Sequence, residues 1–180
     1  MLEIITREDE FYDARIDKFI EIPSCTLVLE HSLISLAKWE SKWHIPYFSD
    51  SPKLPEQELD YIRCMVVGNV KDPRVFNALT VDNMVEIRKY IANPMTATTF
   101  SKRGSGKNKK EVTTAETLYA HMFAHKISME CQKWHLNRLL TLLRVCDLKN
   151  APREKMTKRD TASWNAQQNE ARRAKFNSRG

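Results

Sequence analysis

The sequence predicts a mainly α-helical fold with a small antiparallel β component. Two kinds of periodicity and the punctuation between them carry this reading. Five stretches repeat apolar residues at three- and four-residue steps, the spacing of one face of a helix. Three short runs near the start alternate with period two, as half-buried strands do. Proline and glycine fall between these stretches rather than inside them.

Taken in order, "LEII" alternates at the start. "RIDKFIEIP" sets Ile16, Lys18, Ile20 and Ile22 on one face and Phe19 and Glu21 on the other, and "CTLVLE" continues with Leu27 and Leu29. Between the first two runs, Glu8-Asp9-Glu10 reads as a solvated turn. Ser32 is placed to cap a first helix carrying Leu33, Leu36, Glu40 and Trp43. Pro46, Pro52 and Pro55 mark a loop, and Pro55 suits the first turn of a second helix with Glu56 and Glu58 against its dipole. That helix carries Leu59, Ile62, Met65 and Val66 and stops near Gly68. "TVDNMVEIRKYIANP" is a third, with Met84, Ile87 and Ile91 on one side and Pro94 at its end. "MTATTF" and "EVTT" flank a glycine-containing segment and predict a β-hairpin over 95–114. "TAETLYAHMFAHKI" is a fourth helix capped by Thr114. A fifth, central helix runs from about Glu130 to Asp147, with Trp134, Leu139, Leu140 and Leu143 deep in the core and Arg138 and Arg144 reaching acids on neighbouring elements.

This organisation implies one globular domain over 1–155 and a basic, weakly anchored tail over 156–180, helical by propensity or disordered. Only Trp164 and Phe176 are large apolar residues in that tail, too few to offset the entropy of ordering it. The chain carries a formal charge of +6, and the excess sits at its end. Residues 1–148 hold 20 Lys+Arg against 20 Asp+Glu, whereas 149–180 hold nine against three. The loop "SKRGSGKNKK" adds Lys102, Arg103, Lys107, Lys109 and Lys110 without an acid. A neutral domain with no clustered aromatics argues against nucleic acid as the main partner. No apolar run reaches the length of a bilayer span, so a cytosolic protein without membrane contact is expected. Cys25, Cys64, Cys131 and Cys146 are scattered, which predicts free thiols.

Several residues have the types and spacing of chemistry. His121 and His125, and again Cys131 and His135, stand four apart on expected helices, a spacing that can share a metal. Neither pair has a third and fourth ligand close in sequence, and Cys131 lies in a helix interior, where a thiol is not activated. "GSGK" at 104–107 lacks the spacing of a phosphate loop. No catalytic, cofactor or metal residue is therefore assigned.

The blocks "LEHSLISLAKWESKWHIPY" (29–47), "LDYIRCM" (59–65), "TAETLYAHM" (114–122), "ECQKWHLNRLLTLLRVC" (130–146), "KNAPREKM" (149–156) and "NEARRAKF" (169–176) resemble, in that order, proteins of long-tailed bacteriophages encoded just before the tape measure gene. Those are tail assembly chaperones, and the resemblance covers about three quarters of the chain. It implies a non-enzymatic protein without cofactor. Such a protein coats the tape measure protein, keeps it soluble and recruits tail-tube subunits in the host cytoplasm, and it is absent from the mature virion. In this class a ribosomal frameshift commonly makes a longer second form, of which the present chain would be the short one. On this reading Trp164, Arg172, Arg173 and Phe176 are the candidate partner-binding residues, since such types dominate interface energetics. Self-association is a further expected contact. The competing readings are a permanent head–tail or tail component, and a nucleic-acid-binding accessory protein using the basic loop and tail.

Overall fold

The computed structural model describes residues 1–15, 17–100, 112–151 and 158–176. Among these lie four strands, six α-helices and two 3-10 helices, so the fold is mainly α with a small antiparallel β part. Contacts divide the chain into two compact units, Met1–Cys146 and Asp147–Gly180. No helix of the described residues is long and apolar enough to cross a membrane.

In the first unit, β1 (Leu2–Ile5) pairs antiparallel with β4 (Thr26–Leu29), Ile4 opposite Leu27 and Leu2 opposite Leu29. The alternation of these strands turns Ile4, Leu27 and Leu29 inward. Between them β2 (Asp9–Asp13) and β3 (Lys18–Ile22) form a separate hairpin. Asp9 and Glu10 thus open a strand rather than a turn, because their backbone groups find partners in β3. Ile22 is buried and Ile20 half-buried, as the period-two reading required; Ile16 lies outside the described residues.

The free edge of β4 is closed from elsewhere. Val67 donates its N–H to the Val28 carbonyl at 2.8 Å, and Glu30 donates to Met65 at 2.8 Å. One step further, Leu136 donates to the His31 carbonyl at 2.7 Å, next to a bridge between Ser32 and His135. Residues 26–32 are therefore paired with three distant segments.

Helix α1 (Leu33–Trp43) starts where the sequence placed it. Ser32 accepts the Ser35 N–H, and Ser35 Oγ accepts the Ser32 N–H at 2.8 Å, a reciprocal cap. Its faces serve two apolar clusters. Trp39 packs with Ile4, Leu29, Tyr61, Ile62, Met65 and Ile87, while Leu33 and Leu36 pack with Ala115, Leu118, Met122, Leu136 and Leu139. Helix α2 (Pro55–Met65) begins on Pro55 with Glu56 and Glu58 in its first turn. A 3-10 helix over Pro73–Ala78 follows, adding Val75 and Phe76 to the first cluster. Helix α3 (Val81–Ala92) is capped by Thr80 and buries Ile87. Helix α4 (Ala115–Ala124) is capped by Thr114.

The structure departs from the sequence expectation in four further respects. The hairpin expected over 95–114 has no strand arms at 95–100 or 112–114, and 101–111 lie outside the described residues. The local backbone is drawn into turns instead. Met95 has φ 50° and donates its N–H to Asn93 Oδ1 at 2.9 Å, and Thr98 donates to Thr96 Oγ1 at 3.1 Å. The fifth helix is also not continuous. Met129–Lys133 is a 3-10 helix, Trp134 is extended with ψ 160°, and α5 runs from Leu136 to Asn150. The break follows from the pairing of 135–136 with 31–32, which takes backbone groups a helix would have used. Leu139 and Leu143 are buried, but Trp134 and Leu140 are only half-buried. Arg138 and Arg144 stack on aromatic rings rather than reaching acids: their guanidinium carbons lie 4.3 Å from the Trp134 ring centre and 4.0 Å from that of Phe100.

The second unit contains α6 (Lys158–Phe176).

Candidate functional site

The four residues singled out as partner-binding all fall on α6, where every side chain from Ala162 to Phe176 is exposed. Trp164 is 52% and Phe176 71% exposed. At about 100° per residue, Arg172, Phe176 and Arg173 project within an arc of about 100°, while Trp164 lies about 120° from Phe176 and more than three turns away. The helix thus presents a basic aromatic end and a separate indole, not one apolar stripe. Arg172 and Phe176 stand four apart and share a side. Lys102, Arg103, Lys107, Lys109 and Lys110 of the basic loop lie outside the described residues.

The hairpin carries the complementary chemistry. Cross-strand register sets Tyr12 opposite Phe19 and Glu10 opposite Glu21 on the outer face. Tyr12 and Phe19 are 50% and 68% exposed, with ring centres 5.2 Å apart. The Tyr12 hydroxyl donates to the Asp17 carboxylate, which holds the ring in place and pushes the phenol above its ordinary range. Glu10 and Glu21 join Glu8 and Asp9 around an open cleft of about 590 Å³. Sequence reading put Phe19 and Glu21 outward but did not find this face, because Tyr12 and Glu10 reach it only through the pairing.

A third arrangement is buried where the two apolar clusters meet. His31 and His135 are 2% and 7% exposed, with ring centres 5.1 Å apart in an edge-to-face contact. The backbone places them, since each sits beside the pairing of 31–32 with 135–136. Tyr61 Oη lies 2.6 Å from His31 Nδ1. Burial raises the Tyr61 phenol well above its ordinary value, so it keeps its proton and donates. His135 Nε2 lies 3.1 Å from the Tyr90 carbonyl, which only accepts, so Nε2 carries the hydrogen. His135 Nδ1 is then a buried lone pair with no partner among the described residues. The Tyr90 hydroxyl donates to Glu30 Oε1 at 2.9 Å. Burial, and then the neighbouring His135, lowers His31 to about 3. Burial also lowers His135, against the opposing pull of the Tyr90 carbonyl and Glu30. Both imidazoles are held neutral and enclosed by protein, which makes them a clasp that protonation strains.

The remaining chemistry-bearing pairs end up on separate elements or at the surface. His121 and His125 stand at the end of α4 with rings 6.0 Å apart. Cys131 is buried in the 3-10 helix, off the helix that begins after His135, so those two do not share a helical face. Among the described residues no three His, Cys, Asp or Glu side chains converge as a metal site would need. Compared with protein-family models, curated proteins and solved structures, the chain matches none of them.

Proposed function

We propose that the chain is a non-enzymatic tail assembly chaperone of a long-tailed bacteriophage. In this role it binds the tape measure protein, keeps that protein soluble and promotes tail-tube assembly in the host cytoplasm, without remaining in the virion. The reading joins the resemblance of its sequence blocks to one structural observation: α6 exposes an indole and a phenyl ring, and every described side chain of that helix, from Ala162 to Phe176, is exposed. A tape measure rod presents amphipathic helical surface, and a helix-to-helix contact is the mode by which such surface is covered. Trp164 and Phe176 are the residue types that gain most when desolvated in an interface, and Arg172 and Arg173 supply bidentate donors to acids on the client.

Co-expression with the following tape measure protein tests this. The intact chain should yield a soluble complex, and the double variant W164A/F176A should leave the client insoluble while remaining folded itself. A tape measure protein that is equally soluble without this chain would remove the reading.

A further inference from the structure

We propose that the outer face of the β2–β3 hairpin receives the basic end of α6 from a second copy of this chain, joining copies head to tail. Glu10 and Glu21 stand directly opposite each other, an arrangement that like charges disfavour in a strand pair. Neither makes an ion pair with another described residue. A guanidinium arriving from outside relieves that repulsion and forms charge-assisted hydrogen bonds with both carboxylates. Two residues along the strands, Tyr12 and Phe19 expose a two-ring step that suits a third aromatic ring.

The occupant follows from charge and spacing. Residues 7–22 carry six acids against three cations, whereas α6 carries five cations against two acids. Arg172 and Phe176 stand side by side at i and i+4, about 5–6 Å apart at Cβ. The step from the Glu10–Glu21 pair to the Tyr12–Phe19 pair is two strand residues, about 7 Å. One helix turn therefore sets a cation over the carboxylates and a phenyl over the rings at once. Arg173 and Lys175, in the same last turn, project to opposite flanks of this pair and add positive charge on either side of it. A chain of net charge +6 repels its own copies at long range, so the attraction must be local and weakened by salt. Each copy holds one donor helix and one acceptor face, so the contact is heterologous and repeats. The inference does not rest on the chaperone reading. It uses the hairpin, which that reading leaves unassigned, and the last turn of α6, for which a second copy and the client would compete.

Sedimentation velocity on three full-length proteins tests it at low and high salt over a wide concentration range. The wild type should associate as concentration rises, and salt should reverse this. The variants E10K/E21K and R172E/R173E should each stay monomeric, their association weakened by about tenfold or more. Mixing the two should restore association, because one supplies an intact helix and the other an intact face. All four substitutions are at exposed positions, and circular dichroism checks that the variants fold. A wild type that is monomeric throughout would overturn the proposal, leaving the face to a basic helix of another protein or to the chain's own α6. So would either variant associating alone like the wild type. Capture of the tape measure protein, read separately through W164A, distinguishes a failure here from a failure of the chaperone reading.

Discussion

Glu40 Oε2 accepts the backbone N–H of Ala115 at 2.7 Å, although 75 residues separate the two in sequence. Its other oxygen accepts the Tyr47 N–H at 2.7 Å. One nearly buried carboxylate thus fastens the loop after α1 to the first turn of α4, where the helix dipole favours negative charge. Replacing Glu40 by Ala leaves two donors unsatisfied, at about 1–3 kcal/mol each. The E40A protein should lose about 3 kcal/mol in urea unfolding at neutral pH, and E40Q, which keeps one acceptor, should lose less. A loss in E40A no larger than that of a surface substitution, about 0.5 kcal/mol, would show the two N–H groups to be solvated.

The histidine clasp makes stability depend on pH. His31 is held neutral down to about 3 when folded, against about 6.5 in an unfolded chain. Below about 6.5 the unfolded state takes up a proton that the folded state refuses. Its contribution is therefore complete above that pH and is lost as pH falls toward 3. From pH 7 to pH 5, above the ordinary carboxylate range, the wild type should lose about 2 kcal/mol through this group, at about 1.4 kcal/mol per unit. In H31Q the same pH interval should cost clearly less, even though the variant is less stable at neutrality. Equal pH slopes for the two proteins would assign the acid sensitivity to other groups.

Leu139 and Leu140 are neighbours with different burdens. Leu139 is 0% exposed between α1 and α4, while Leu140 is half-buried at the edge of that cluster. L139A should cost about 2–5 kcal/mol through the cavity it opens, and L140A markedly less. Chemical denaturation ranks the two, and the reverse order would place the inner face of α5 one residue further on.

Deleting residues 157–180 should leave the melting temperature of the remaining chain within about 2 °C of the intact protein, a change that corresponds to about 0.5–1 kcal/mol at this size. The reason is that no described side chain of α6 is buried. If the proposed chaperone role holds, capture of the tape measure protein should fall sharply in the same variant. A truncated protein that unfolds outright would make the segment part of the fold.

Much of the helical framework was legible because its signals are local. Ser32, Pro55 and Thr114 each mark a helix start through chemistry confined to one turn. The break at Trp134 had no such signal. Neither proline nor glycine stands there, and the cause is a backbone partner at 31–32, remote in sequence. Glu8-Asp9-Glu10 reads as a solvated turn because three acids stand in a row, yet pairing with β3 makes Asp9 and Glu10 the start of a strand. The exposed aromatics of α6 could be read from a tail too poor in apolar residues to bury them. The acidic aromatic face of the hairpin could not, since it exists only once two strands are in register.

The three-sided pairing of residues 26–32 bears on synthesis, which delivers the chain from one end. As the nascent polypeptide leaves the ribosome, β4 can meet β1 early. Its other edge stays open until Met65 and Val67 emerge, and the His31 carbonyl has no partner until Leu136 follows. An unpaired apolar edge of this kind invites pairing with another chain. The interval between translating Leu29 and translating Val67 is therefore the period of greatest exposure to aggregation, and a pause in elongation just before Val67 would prolong it.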